Sequence, residues 1–91
     1  MNEKLIERKL REAVKNRGGL ALKFVSPGFT GVPDRIILMP SGKICFAEIK
    51  TTGEKPSPRQ KIVIEKLKDL GFIAEVIDSQ EALTEFLNGR I

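Results

Sequence analysis

Two acidic residues and a lysine carry the most specific chemical signal in this sequence. Asp34 follows Pro33, and Glu48 and Lys50 come after a turn at Pro40-Ser41-Gly42. Carboxylate oxygens are the ligands that hard cations such as Mg²⁺ prefer. An ammonium group beside them can orient water or stabilise charge that develops on a phosphate. If the fold brings these three side chains together, they predict metal-assisted hydrolysis.

Each of these residues alone has a plainer explanation. Asp34 can be a turn residue that hydrogen-bonds its own backbone, and Glu48 and Lys50 can be an exposed strand end. Their joint placement favours function, because apolar residues lie behind them on both predicted strands. In a sheet that is covered on both faces, burying charged side chains that have no partner is costly.

The composition excludes most other catalytic chemistries. The chain has no histidine and one cysteine, Cys45, so it cannot build a zinc finger, a histidine-based nuclease, a Ser-His-Asp triad or an internal disulfide framework. Its 91 residues suit a single domain that spans residues 1–91. No apolar run is long enough to span a bilayer and no secretory signal follows Met1, so we expect no membrane association and a cytoplasmic location.

The charge balance is mildly basic, with a net charge of +4 and an isoelectric point near 9.5. This balance suits a phosphate-rich partner, although it more often reflects solubility alone. Charge therefore permits nucleic-acid binding but does not establish it.

Apolar periodicity and capping residues predict the helices. Residues Glu3–Asn16 have helical spacing, and Gly18-Gly19 ends that helix. Ser57 as N-cap, Pro58 at the first helical position and Gln60 in a capping box predict a second helix, which runs to about Leu70.

The remaining segments predict strands and a last helix. Asp78 and Glu81 form a possible capping pair for a helix that continues through Leu87. The predicted strands are Leu20–Val25, Asp34–Met39, Lys43–Lys50 and Phe72–Ile77. The first three strands can pair as a meander, and the second helix is long enough for a parallel crossover. The sequence therefore predicts an α/β fold with a central mixed four-stranded sheet flanked by helices.

The register of the hairpin decides whether the acidic residues meet. A two-residue Ser41-Gly42 loop would turn Asp34 and Glu48 to opposite faces of the sheet. In a three-residue loop, Pro40 and Ser41 form the centre of a type I turn and Gly42 takes the left-handed bulge position, so that Asp34 lies opposite Glu48. Pro and Gly stand where the second arrangement prefers them.

The ordered set Gly31-Val32-Pro33-Asp34-Arg35 and Glu48-Ile49-Lys50 resembles the PD-(D/E)XK nuclease signature, and specifically the small VRR-NUC nucleases. The resemblance covers nearly the whole chain, from Ile6-Glu7 to Leu70-Gly71-Phe72. It implies a restriction-endonuclease-like α-β-β-β-α-β(-α) fold and phosphodiester hydrolysis with Mg²⁺ or Mn²⁺.

The resemblance also implies a role for each matching residue. Asp34 and Glu48 correspond to metal ligands, with the backbone carbonyl of Ile49 as a third ligand, and Lys50 lies beside the attacking water. Two further positions match the family pattern. They are Glu7, which corresponds to the helix-one glutamate, and Gln60, which corresponds to the helix-two glutamine.

Glu7 and Gln60 also have structural explanations. Glu7 lies at the edge of the apolar stripe of its helix, where it could reach the metal directly or through water, but Glu3 projects nearly the same way and edge charges are usually solvated. Gln60 fits a capping box without any catalysis, or it can serve in both roles. Of the two, we expect Glu7 rather than Gln60 to touch the metal.

Basic residues near the predicted site are candidates for phosphate contacts. They are Lys23, Arg35, Lys55, Arg59 and Lys61. The only aromatic residues are five phenylalanines, mostly in apolar settings, so recognition should be of backbone and shape. Phe29, in the loop before Asp34, is the one candidate for a wedge or for contact with a partner chain.

These features together predict a structure-selective DNA endonuclease that acts as a homodimer, because two-fold pairing places two small sites on two strands. The resemblance to small stand-alone VRR-NUC proteins implies a four-way (Holliday) junction as the first substrate to test, and a bacterial or phage-infected host cell. Two alternatives stay open. One is a non-cleaving DNA-binding or assembly module with the nuclease fold, and the other is a sequence-specific restriction-type endonuclease.

Overall fold

A mixed four-stranded sheet forms the centre of the protein in a computed structural model that describes residues 1–91. The strands, in the spatial order β1-β2-β3-β4, are β1 (Leu20–Lys23), β2 (Arg35–Leu38), β3 (Ile44–Ile49) and β4 (Ile73–Ile77). The helices are α1 (Glu3–Asn16), α2 (Pro58–Asp69) and α3 (Gln80–Glu85), and α3 continues into a π-helical turn at Phe86–Arg90. The predicted order of elements is confirmed, and the strands are slightly shorter than predicted.

Local capping sets the start of the first two helices. The Asn2 side chain accepts a hydrogen bond from the Leu5 N–H at 2.8 Å at the start of α1. Ser57 and Gln60 form the reciprocal capping box at the start of α2. Both helices begin where a side-chain oxygen replaces a missing backbone acceptor, which is why the sequence locates these helix starts well.

The third helix begins differently from the prediction. Its N-cap is Ser79, whose hydroxyl accepts the Ala82 N–H at 3.1 Å, so the assignment of Asp78 and Glu81 as the capping pair is wrong. Asp78 instead uses its backbone carbonyl, which accepts a hydrogen bond from the Thr52 hydroxyl at 2.6 Å. The cap moves by one residue because Ser79 holds the extended conformation that an N-cap requires.

The sheet combines an antiparallel meander with one parallel pair. Strand β2 pairs antiparallel with both β1 and β3, and β4 lies parallel to β3 after the α2 crossover. None of the helices has the length and hydropathy that crossing a bilayer requires. The mixed sheet predicted from the sequence is confirmed.

The β2–β3 turn has the register of the three-residue loop. The Met39 N–H donates to the Lys43 carbonyl at 2.8 Å, and Leu38 pairs with Ile44. The predicted turn geometry is wrong in one respect, because Ser41 has φ 68° and therefore takes a left-handed conformation before Gly42, whose φ is 78°. Successive residues with positive φ suit the twist of a hairpin, so the register survives the change of turn type.

The two faces of the sheet are covered unequally. Helices α1 and α3 cover one face completely, over a core of eleven buried residues that includes Ile6, Leu10, Ile37 and Phe86. Helix α2 covers the other face at β3 and β4 through a smaller cluster of Phe46, Ile64 and Ala74.

The expectation that both faces are covered therefore holds only in part. Leu20 and Leu22 on β1 are 57% and 45% exposed, and Ile44 on β3 is 38% exposed. By strand alternation these three side chains lie on the face that α2 covers. We call Leu20, Leu22 and Ile44 the apolar row.

Candidate active site

The predicted site residues meet at one end of the sheet, where β2 begins and β3 ends. In the register of this pair, Asp34 falls opposite Glu48, because Arg35 pairs with Ala47. A cleft of about 220 Å³ opens beside Asp34, between the start of α1 and strands β1 to β3. Its lining residues are Glu3, Lys4, Glu7, Lys23, Asp34, Arg35 and Ile49.

Glu48 is the buried centre of a hydrogen-bond network. It is 3% exposed, and one carboxylate oxygen accepts the Asp34 N–H at 3.2 Å. The other oxygen accepts the Gln60 side-chain amide at 3.0 Å and lies 3.4 Å from the Lys50 Nζ. A buried carboxylate requires such partners, because its desolvation is otherwise costly. The structure thus brings Asp34, Glu48, Lys50 and Gln60 together.

Asp34 lies between this network and the cleft. Its Oδ1 accepts the Ile49 N–H at 3.2 Å. Burial, and then repulsion by Glu48, raise the pKa of Asp34 from 3.8 to about 6. Burial also raises the pKa of Glu48, against the opposing effect of the Lys50 ammonium. Both carboxylates are therefore costly to keep ionised in the absence of a cation.

Gln60 completes the predicted capping box and also contacts Glu48, and its catalytic role stays a prediction. Its Oε1 accepts the Ser57 N–H at 2.8 Å, which completes the capping box of α2. Its Nε2 donates to Glu48. The cap holds the side chain in place, so that the first turn of α2 positions the Glu48 carboxylate.

Glu7 has partners other than the two site carboxylates. Its Oε1 lies 2.9 Å from Arg11 and 2.9 Å from Arg35, both in ion pairs. Glu7 lines the same cleft as Asp34, but no group of three or more acidic, histidine or cysteine side chains converges anywhere as a metal cluster. Gln60 and not Glu7 joins the Glu48 network, because two guanidinium groups hold the Glu7 carboxylate. That Glu7 rather than Gln60 touches the metal stays a prediction.

The predicted phosphate-contact residues fall into three places. Lys23 and Arg35 pair directly across β1 and β2, and both line the cleft. Lys55 and Lys61 line a separate groove along α2. Arg59 lies at the start of α2, where its Nε donates to the Thr30 carbonyl at 3.2 Å.

Sequence reasoning did not assign Lys4 to the site, although it lines the cleft with Glu3 and Glu7. The signal was present, since Glu3 and Glu7 are four residues apart and therefore share a helix face, and Lys4 is next to that face. The first turn of α1 is thus a wall of the cleft.

Pro33 removes one backbone hydrogen bond between β2 and β3 at the site. Along β2 and β3, hydrogen-bonded pairs alternate with non-bonded pairs, and the Met39–Lys43 bond places Pro33 and Ile49 at a hydrogen-bonded position. Proline has no N–H to donate, and the Ile49 N–H bonds to Asp34 instead. In a strand the carbonyl of a residue points to the same side as its N–H, so the Ile49 carbonyl faces the site. It receives no hydrogen bond from Pro33, which has no N–H.

Comparison with known proteins supplies the class of this domain. Residues 1–81 match the family model described as the VRR-NUC domain, and the chain belongs to this family of nuclease domains. The protein named "Putative nuclease p44", from Acyrthosiphon pisum secondary endosymbiont phage 1, is 48% identical over 81 residues, which are 89% of this chain and 87% of that protein. A solved structure of a VRR_NUC domain superposes with a TM-score of 0.90 at 27% identity, over 98% of this chain and 97% of the other. The resemblance and the fold class stated above are confirmed.

The raised pKa of Asp34 predicts a measurable stability effect. The folded state binds more protons than the unfolded state between pH 3.8 and about 6, so stability falls as pH rises through this window. We expect Asp34→Asn to raise the free energy of unfolding at pH 7 by about 1–2 kcal/mol. This is roughly half the free energy that corresponds to the whole pKa shift, because the carboxyl is partly exposed to solvent. It should also flatten the pH profile. Urea unfolding with a metal chelator present, at pH 5 and 7, measures both effects.

The matched control for this measurement is Asp69→Asn, at the exposed end of α2. We expect it to change the stability at pH 7 by no more than about 0.5 kcal/mol. A loss of stability in Asp34→Asn at pH 7 would contradict the proposed cost of the ionised carboxylate.

Proposed function

We propose that the protein is a Mg²⁺- or Mn²⁺-dependent DNA endonuclease that hydrolyses phosphodiester bonds in branched DNA, such as a four-way junction, as a homodimer. The observation that carries this proposal is the placement of Asp34 opposite Glu48, with Lys50 and Gln60 bonded to the same carboxylate. VRR-NUC membership supports the reaction class.

The residues fit a hard divalent cation. The available ligands are all oxygen atoms, from the carboxylates of Asp34 and Glu48 and from the Ile49 carbonyl, which has no ladder donor. The raised pKa values of both carboxyls indicate repulsion and desolvation that a cation would relieve. A bound cation would supply Lewis-acid stabilisation of charge on the phosphate and would acidify water. Glu7 can join this set only if it leaves Arg11 and Arg35.

The chain's own side chains would then divide the remaining work. Lys50 is 20% exposed and ion-paired to Glu48, so its ammonium can orient the attacking water and stabilise charge on the scissile phosphate. Gln60 keeps the Glu48 carboxylate in one orientation, because its own amide is fixed by the capping box. Catalysis of this kind depends on groups that are held in position before the substrate arrives.

The charges of the cleft support an anionic substrate. Lys23 and Arg35 lie directly opposite each other on neighbouring strands, an arrangement of like charges that is destabilising by itself. A DNA phosphate between them would offset this repulsion, as Glu7 does in part by pairing with Arg35. Arg59, Lys55 and Lys61 would extend the phosphate contacts along the start of α2.

Removal of the lysine tests the catalytic assignment. We expect Lys50→Ala and Asp34→Ala to lower Mg²⁺-dependent cleavage of a four-way junction by at least about a hundredfold, while both variants still bind the junction. Gel-resolved cleavage and fluorescence anisotropy measure the two properties. The matched control is Lys66→Ala, an exposed lysine near the end of α2, which should cleave normally.

Other outcomes of that assay favour other functions. Failure of the unmodified protein to cut branched, flapped or linear DNA would favour a non-cleaving module. Cuts confined to one short sequence motif, wherever the branch lies, would favour a restriction-type enzyme. Cuts that follow the branch position support structure selectivity.

The proline before Asp34 offers a test that does not depend on activity. In Pro33→Ala the new N–H can bond to the Ile49 carbonyl and compete with a metal, so we expect Mn²⁺ binding about tenfold weaker by calorimetry. Pro40→Ala, in the exposed β2–β3 turn, is the control and should bind Mn²⁺ normally. Unchanged Mn²⁺ affinity in a folded Pro33→Ala variant would remove the Ile49 carbonyl from the proposed ligand set.

The apolar row supports self-association. Leu20 and Ile44 both pair with Leu38 across the sheet, so the exposed side chains form a continuous strip on the face that α2 leaves open. A two-fold dimer places the same strip of each subunit against the other, which removes this apolar surface from water. It would also provide two active sites for two DNA strands.

Disruption of the strip tests the dimer. We expect Leu22→Lys to sediment as a monomer at a concentration where the unmodified protein is a dimer, because a lysine opposite its symmetry mate introduces repulsion and loses apolar burial. Val25→Lys is the matched control, since Val25 is 66% exposed but lies outside β1. If the unmodified protein is a monomer by light scattering at micromolar concentration, the homodimer is wrong.

A further inference from the structure

We propose that Phe29, backed by Arg59, forms a stacking contact for an unpaired DNA base next to the active site. This inference rests on the proposed function, because it names the part of the DNA substrate that the loop would recognise. It assigns a ligand to a side chain that neither the core nor the Glu48 network uses.

Phe29 differs from the other aromatic residues in its surroundings. Phe24, Phe46 and Phe72 pack against one another, with ring centroids 5.6 and 5.5 Å apart. Phe86 is buried in the core. Phe29 is 49% exposed and has no aromatic neighbour. The Arg59 guanidinium lies over one side of its ring, with the Cζ 5.0 Å from the ring centroid.

The loop that carries Phe29 is fixed against α2. The Arg59 Nε donates to the Thr30 carbonyl at 3.2 Å. Gly31 has φ +90°, and a Cβ atom there would lie 2.7 Å from the Arg59 Cγ and 3.1 Å from the Val63 Cγ2. Only glycine permits both this conformation and this close approach. The ring is therefore presented to solvent by a braced loop, since the backbone beside it packs directly on the helix.

The position of this ring suits a base near the cleavage point. Phe29 and Asp34 are five residues apart, so their Cα atoms lie within about 18 Å of each other, which corresponds to about five nucleotides of duplex rise. On the opposite side, Arg59 directly precedes Gln60, whose side chain bonds to Glu48. The loop that carries Phe29 and the start of α2 that carries Arg59 are therefore both adjacent in sequence to residues of the site.

The Phe29 ring and the Arg59 guanidinium together suit a base that is not stacked within a duplex. The ring offers an exposed aromatic surface, and the guanidinium that polarises it has further N–H groups for a phosphate. Every base has a face that can stack on such a ring, so the contact tolerates any sequence. A base inside a duplex is already stacked on both sides, and it cannot use the ring without leaving the helix. The contact therefore favours DNA with a gap, a flap or another single-stranded segment.

A tryptophan at this position reports the contact directly, because the chain contains no tryptophan or tyrosine. We expect the fluorescence of Phe29→Trp, in a Lys50→Ala background that does not cleave, to be quenched by a gapped duplex, and not by a fully paired duplex of the same sequence. Leu70→Trp in the same background is the control. Leu70 is 61% exposed at the end of α2 far from Arg59, and its fluorescence should respond to neither DNA.

Substitution of the ring tests its contribution to affinity. We expect Phe29→Leu to weaken binding of the gapped duplex about five- to hundredfold and to leave binding of the paired duplex unchanged, whereas Phe29→Tyr should retain the affinity. Anisotropy in the same non-cleaving background measures this.

Three results would overturn the stacking contact. The first is equal quenching of the tryptophan by the paired duplex. The second is binding of gapped DNA, detected by anisotropy, without quenching. The third is a Phe29→Leu variant that binds DNA normally and differs only in dissociating to a smaller assembly in solution. The last result would place Phe29 in a subunit interface. If quenching and binding occur but the unmodified protein cleaves no DNA, the endonuclease proposal fails and the stacking contact stands.

Discussion

Asp34 lies opposite Glu48 because Met39 pairs with Lys43 at the far end of the same two strands. A shift of one residue in this register would turn one of the two carboxyls to the other face of the sheet. The Glu48 carboxylate could then no longer accept the Asp34 N–H, and Gln60 would have no partner on β3. The turn between β2 and β3, although it lies at the opposite end of the hairpin, therefore determines whether the site exists.

The same register concentrates unfavourable charge that the rest of the fold must stabilise. Burial and mutual repulsion raise the pKa of Asp34, and burial raises that of Glu48, so neither group contributes stability as an anion in this geometry. They are held by donors that belong to rigid elements, namely strand amides and the capped first turn of α2. Buried, mutually repelling acids with raised pKa values are enriched at functional sites, where a cation or a reaction uses the perturbed groups.

Contacts within a few residues of each other could be predicted from the sequence, and contacts between distant elements could not. The limits of α1 and the α2 cap follow from spacing and from Ser57, Pro58 and Gln60, and the hairpin register follows from loop length. The left-handed Ser41 was not predictable, since serine is uncommon at positive φ. The ion pair of Glu7 with Arg35 was missed because Arg35 reaches Glu7 only after α1 docks on the sheet. The placement of Arg59 over Phe29 depends in the same way on the packing of Gly31.

The unequal covering of the sheet separates the proposed surfaces of the protein. Helices α1 and α3 bury one face entirely, which leaves no room there for a partner except at the cleft beside Asp34. Helix α2 covers only β3 and β4 on the other face, so the apolar row stays free while the start of the same helix holds Gln60 and Arg59 at the site. DNA at the end of the sheet and a second subunit along the open half of that face would therefore not compete. A domain of this size can carry both surfaces because a single helix, about as wide as two strands, covers one face of the sheet and leaves half of it exposed.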